Sequence, residues 1–240
     1  MSWFDAVDIR KEYPLGDGVK VALDGFSLSA PRGDFVSIIG RSGSGKTTFL
    51  RIVAGLLEKT SGEIRYGGGV PPRIGMVFQE PRLMPWLTVE KNVLFAHLSR
   101  NRKAIPYDMA KNLLEMLGLS LYKDAYPSQL SGGMAQRVAL GRALCREPEL
   151  ILMDEPFGSL DYFTRRSLQE EILRLYMRDK KTIFLVTHDV DEAVALSRRV
   201  VVLDQGRVSR EIDIDLEYPR KRTNPAFAAT VEMILSYITG

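Results

Sequence analysis

Nine consecutive residues, Gly40-Arg41-Ser42-Gly43-Ser44-Gly45-Lys46-Thr47-Thr48, have the types and spacing needed to hold a polyphosphate. Phosphate oxygens need several N–H donors converging on one point, and glycines let the backbone curl and approach because no Cβ intervenes. A helix starting at this loop aims its unpaired N–H groups and positive dipole end at the anion. Lys46 adds a point charge toward the β- and γ-phosphates, and the Thr47 hydroxyl is a ligand for Mg²⁺. The loop predicts a bound nucleoside triphosphate, without saying what its energy drives.

Two further stretches bear on the same chemistry. Leu150-Ile151-Leu152-Met153-Asp154-Glu155 reads as a buried strand delivering two carboxylates at its C-terminal end, the edge where open α/β sheets bind ligands. Asp154 is placed to hold Mg²⁺ directly or through water, and Glu155 is the candidate general base for an attacking water. An acidic pair merely ending a strand is the plain structural alternative. Leu130-Ser131-Gly132-Gly133-Met134-Ala135-Gln136 opens a helix with a serine and two glycines, a second anion-binding start. One nucleotide needs one cradle, so a second makes sense if it meets the γ-phosphate of a nucleotide held by another copy.

The elements that must position these residues follow from hydrophobic periodicity. Strands are expected over Val7 to Lys11 and Val19 to Phe26, joined by the polar loop Pro14-Leu15-Gly16-Asp17-Gly18. Phe35 to Ile39 is the strand before the glycine loop, with further strands at Glu63 to Tyr66 and Ile74 to Phe78. From about Val89 to Leu144 the patterns are helical, with Ser131 as an N-cap. Strands return at Leu150 to Met153 and Thr182 to Val186, with a helix between them over Tyr162 to Met177. Gln205-Gly206 joins a hairpin, and a last helix covers about Pro225 to Ile238. The fold class is α/β, a core interrupted by a helical insertion.

The chain has 240 residues, 45% apolar and 26% charged, which suits a globular protein. With 33 basic and 30 acidic residues the net charge of +3 is too mild to argue for nucleic acid, and none is expected. Cys145 is the only cysteine, and beside Ala143 and Leu144 it reads as a small buried residue rather than a reactive thiol. The N-terminus lacks the pattern of a signal peptide, and no apolar run approaches a membrane span. If the protein works at a membrane, it does so through partners.

With these motifs in this order, the whole sequence resembles the ATP-binding cassette (ABC) family. The resemblance implies a P-loop NTPase (RecA-like) core with an antiparallel β subdomain and an all-helical insertion, in one domain. The core would be residues 1–80 and 145–215, the insertion 81–144 and a helical tail 216–240. The family signature LSGGQ reads Leu-Ser-Gly-Gly-Met here, so Ser131, Gly132, Gly133 and Met134 would face a partner's nucleotide, with Met134 a departure from glutamine. Gln79 matches the glutamine that reaches Mg²⁺ and the attacking water, and His188 the histidine that contacts the γ-phosphate. Asp161, in Ser159-Leu160-Asp161, matches the loop linking the two sites of a dimer. Tyr13 fits the aromatic that stacks on adenine, with Phe4 and Trp3 as competitors. His97 has no such context and reads as structural.

The resemblance is narrower still. Pro156-Phe157-Gly158, the run Pro81 to Val93 with its Pro85-Trp86 pair, and the ending Pro219 to Phe227 are similar to ATPases of nitrate, sulfonate and taurine importers. This implies a homodimer of ATPase subunits with ATP and Mg²⁺, bound peripherally to permease subunits on the cytoplasmic face of the inner membrane. A solute-binding protein would be an indirect partner. In that group Met84 and Trp86 would belong to a groove for the permease, unless Trp86 packs onto the insertion's own core. The rival classes are a DNA-repair or chromosome ATPase with the same cassette, which carries long coiled-coil insertions, and a P-loop small-molecule kinase, which has no use for a second glycine cradle.

Overall fold

The computed structural model describes residues 2–16, 18–98 and 107–239. Met1, Gly240, Asp17 of the expected hairpin loop and residues 99–106 of the expected insertion lie outside the described residues. In chain order the elements are β1 (Phe4–Leu15), β2 (Gly18–Ala30), β3 (Phe35–Ile39), α1 (Lys46–Val53), β4 (Ser61–Tyr66), β5 (Ile74–Val77), α2 (Val89–Val93), α3 (Phe95–Leu98) and α4 (Tyr107–Met116). There follow α5 (Gly132–Leu144), β6 (Leu150–Asp154), α6 (Tyr162–Asp179), β7 (Thr182–Val186), α7 (Val190–Leu196), β8 (Arg199–Asp204), β9 (Arg207–Asp213) and α8 (Pro225–Thr239). They group into two compact units, one of Met1–Pro72 with Lys180–Gly240, the other of Arg73–Asp179.

The first unit holds an antiparallel sheet in the order β2-β1-β4. It also holds β3 paired in parallel with β7 on one side and β8 on the other, with β9 antiparallel to β8. Strands β3 and β7 are buried at every position, as expected for strands covered on both faces. Phe4, Phe26, Phe49 and Phe184 form an aromatic cluster, with Phe4 and Phe184 edge to face at 4.9 Å. The β1–β2 hairpin is longer than its sequence pattern predicts. Pro14 pairs with Val19 and Leu15 with Gly18, so most of the expected loop is strand. The alternation is hidden because the register shifts between Ala6 and Ile9, around Asp8 with its φ of 49°.

In the second unit β5 and β6 pair in parallel, from Ile74 opposite Leu150 to Val77 opposite Met153. Around them pack helices α2 to α6, and the described residues of 89–144 contain no strand. Asn92, fully buried on α2, accepts a hydrogen bond from Met84 N and donates to the carbonyls of Met84, Leu87 and Thr88 at 3.0–3.1 Å. One satisfied amide thereby fixes the loop before α2, as a buried polar group must. Trp86, in that loop, is 70% exposed rather than packed onto the helical core.

Candidate functional site

Strand β3 leads straight into the glycine loop. A Cβ on Gly40 would stand 2.1 Å from Leu203 O, and one on Gly45 2.3 Å from Ala22 O, so the loop lies too close to neighbouring backbone for any side chain. Gly45 is also the N-cap of α1, in a left-handed conformation and without a side-chain cap, so the first N–H groups of α1 are not covered by a capping side chain. Lys46 is buried, and its Nζ donates to the carbonyls of Gly40 and Arg41 at 2.8 and 2.9 Å. Ser44 Oγ is buried and, among the described residues, has no hydrogen-bond partner. An orphaned hydroxyl, a lysine held on the loop's own carbonyls and an uncapped helix start all suit a polyphosphate.

Ser42 and Gly43 are exposed, and Thr47 and Thr48 half-buried at the start of α1. His188 is exposed immediately beyond β7 in the same unit. Tyr13, half-buried on β1, has Lys11 Nζ 5.1 Å above its ring. Phe4 is fully buried in the aromatic cluster, which removes it as a stacking face for a base. Trp3 packs edge-on against Tyr66.

The second unit assembles the acidic residues. Asp154 closes the buried strand β6 and is itself buried. Glu155 follows with a φ of 46°, a left-handed conformation uncommon for a residue with a side chain and often found at functional sites. A Cβ placed on Gly158 would stand 3.3 Å from Gln79 Nε2 and 3.9 Å from Glu155 Oε2, so amide and carboxylate approach the same point. Asp154 and Glu155 carry carboxylate oxygens and Gln79 an amide oxygen, hard donors of the kind Mg²⁺ takes.

Ser131 caps α5, its Oγ accepting from Met134 N at 3.3 Å. The cap uses the backbone N–H of residue 134, which methionine keeps, while a glutamine there could add a side-chain acceptor for the Ser131 N–H that methionine lacks. Gly132 is exposed, whereas Gly133 is buried with Thr164 Cγ2 2.1 Å from where its Cβ would be. Asp161 accepts from the backbone N–H of Phe163 and Thr164, both at 3.1 Å, and starts α6. Hydrogen bonds from the Thr164 side chain and then from these backbone groups hold its carboxyl below the ordinary range.

Two residues to which the motifs give no role hold the loop around Gln79. Gln136 Nε2 donates to Phe78 O at 2.9 Å. Arg142 donates to Pro81 O and Arg82 O at 2.6 and 2.7 Å. The signal for Gln136 is a polar residue on the buried face of α5; for Arg142 the sequence has none. His97 contacts Cys145 O at 3.1 Å, in keeping with a structural role. Cys145 is buried, and desolvation followed by the charge of Glu147 pushes its thiol up to about 11, the inert form expected.

A glycine cradle after a parallel strand, a lysine within it and an acidic strand end define a P-loop nucleotide-binding α/β protein. The family model described as ABC transporter matches residues 23–158, more than half of the chain. An uncharacterised ABC transporter ATP-binding protein of Methanocaldococcus jannaschii is 48% identical over 93% of this chain and 86% of its own length. The aliphatic sulfonates import ATP-binding protein SsuB of Bacillus subtilis is 42% identical over 96% of this chain and 92% of its own. Among solved structures, the dimeric ATP-binding cassette MJ0796, in a post-hydrolysis state bound to ADP and Pi, superposes with a TM-score of 0.80. It is 33% identical, covering 89% of this chain and 100% of that one. The chain belongs to the ABC transporter family, and it is an ATPase with that family's cassette fold.

Proposed function

We propose that this ATPase is the energy-coupling subunit of an importer for aliphatic sulfonates or related small solutes such as nitrate and taurine. The observation that carries the hydrolytic part is the approach of Gln79 and Glu155 to one point beside Gly158. A carboxylate paired with an amide suits a water nucleophile, whereas a kinase would need a pocket for its acceptor. The solute class rests on the 42% identity to the sulfonate importer subunit.

In this reading Lys46 leaves the carbonyls of Gly40 and Arg41 for the β- and γ-phosphates. The backbone N–H groups of residues 41 to 48 bind phosphate oxygens, and Tyr13 stacks on adenine. Thr47, Asp154 and Gln79 would hold Mg²⁺, which would supply positive charge to the phosphates. Glu155 accepts a proton from the water that attacks the γ-phosphorus in line, and Gln79 orients that water. His188 contacts the γ-phosphate. Ser131, Gly132 and Gly133 of a second copy complete the γ-phosphate site, with the Met134 N–H held in the cap, and Asp161 links the two sites. Charge on the transferring group is stabilised by groups already in place.

ATP closing this dimer would drive the permease. Residues 81–144 act as the helical insertion that carries the permease contact, and Trp86, exposed on a loop clamped by Asn92, fits such a contact. Among the described residues no helix is long and apolar enough to cross a membrane, so attachment would be peripheral, through the permease at the cytoplasmic face. The test is reconstitution in proteoliposomes with a permease and a solute-binding protein of the sulfonate-importer type. ATP-driven uptake of a labelled alkanesulfonate is expected. ATP turnover without uptake of sulfonate, taurine or nitrate would overturn the solute class.

A further inference from the structure

The segment after β7 contains a buried carboxylate that the roles above leave unused. Glu192, on α7, is 4% exposed, and Thr187, at the end of β7, is 2% exposed. Thr187 Oγ1 donates to Glu192 Oε2 at 2.6 Å, the short distance of a charge-assisted bond. The same Oγ1 accepts from Asp189 N at 3.1 Å. Asp189 Oδ1 in turn accepts from Glu192 N at 3.1 Å, capping α7. These three hydrogen bonds close a ring through residues 187, 189 and 192, and His188 is the residue it encloses in the chain. Thr187 N also donates to Ile38 O at 3.3 Å, which ties the ring to β3.

The neighbours of Glu192 on α7, Val190, Ala193, Val194 and Leu196, are buried and apolar. Burying a carboxylate is costly unless hydrogen bonds compensate it. What the carboxylate adds is direction. A hydroxyl has one proton, and with Asp189 N–H already on its oxygen that proton goes to Glu192. The orientation of Thr187 is thereby fixed, and with it the turn that presents His188.

We propose that Glu192 is a positioning residue for ATP hydrolysis, holding the His188 turn in place through Thr187 and Asp189. The inference rests on the reading that His188 meets the γ-phosphate. Glu192 does not touch nucleotide; it restricts the backbone on both sides of the residue that does.

The chain has 2 histidines, so imidazole NMR of histidine-labelled protein gives two sets of signals, assigned by loss of one set in His188→Ala. In the full chain, Glu192→Ala is expected to lower kcat about tenfold or more while the Kd for ATP stays within about twofold. It should broaden or split the His188 signals and leave those of His97 unchanged. Glu192→Gln, which keeps an acceptor for Thr187, should retain one sharp His188 signal and most of the rate. Thr187→Val, nearly isosteric, should reproduce Glu192→Ala, and the double variant should be no worse than either. A wild-type kcat with a single sharp His188 signal in both Glu192→Ala and Thr187→Val overturns the proposal. If His188→Ala itself keeps full activity, the role given to His188 fails instead, while its signals in the Glu192 variants still decide whether Glu192 positions it.

Discussion

The amide of Gln79 and the carboxylate of Glu155 come together over Gly158, with Nε2 and Oε2 at 3.3 and 3.9 Å from the position of a missing β-carbon. Gln79 follows β5 and Glu155 follows β6, and these strands pair in parallel from Ile74 and Leu150 onward. Adjacent parallel strands deliver their following residues to the same sheet edge, which is how two residues 76 positions apart in number become neighbours.

Glu155→Gln should therefore keep the Kd for ATP within about twofold and lower kcat by about 10²–10⁴, the usual worth of a positioned base. Nucleotide titration and phosphate release measure the two separately. A variant turning over at the normal rate would remove Glu155 from its role.

Gly133 tests the packing beneath the second cradle. Gly133→Ala places a methyl group 2.1 Å from Thr164 Cγ2, and overpacking of this kind costs about 1–3 kcal/mol. Thr164→Ser deletes the offending atom and keeps the hydroxyl near Asp161, so the double variant should regain most of the loss. Urea midpoints of the four proteins check this.

Legibility in the sequence was uneven, for physical reasons. The phosphate loop is readable because its chemistry is local: glycines that touch Leu203 O and Ala22 O must be glycines, and the lysine must follow. Ser131 as a cap and the Gln205-Gly206 turn between β8 and β9 are local in the same way. Asn92, Gln136, Arg142 and Glu192 are different. Except for Glu192, each takes backbone carbonyls as partners, and a carbonyl carries no sequence signal. Glu192 looks like one more charge on an amphipathic helix until its burial is seen. Likewise Phe4 reads as a free aromatic until Phe49 and Phe184 enclose it.

Cys145 gives a pH dependence with a definite sign. Burial, and then the charge of Glu147, pushes its thiol up to about 11 in the folded chain from an ordinary value of 9.0. Between these values the unfolded chain loses a proton that the folded chain keeps, so stability falls as pH rises through this window. The slope fades as pH drops well below 9.0, where both states keep the proton. Cys145→Ala should show a shallower decline of the urea midpoint above that pH, and the native thiol should resist alkylation at pH 8 until the chain unfolds.

Trp86 probes the proposed contact with the permease. Because Asn92 fixes its loop and the indole is 70% exposed, Trp86→Ala should leave folding and basal ATPase activity unchanged. Complex assembly or coupled uptake should fall by tenfold or more if the indole anchors the interface, about the cost of a strong interface residue. Co-purification with the permease and uptake in proteoliposomes measure both.

The central claim is that the glycine loop is half a site, completed by Ser131 and Gly133 of a second copy. The most direct measurement is the mass in solution of the Glu155→Gln chain, by light scattering, with and without ATP and Mg²⁺. The account predicts the single-chain mass of 27.0 kDa without nucleotide and twice that value with it, the increase being lost when Ser131→Arg is added. A mass that stays at 27.0 kDa while ATP is demonstrably bound would contradict it.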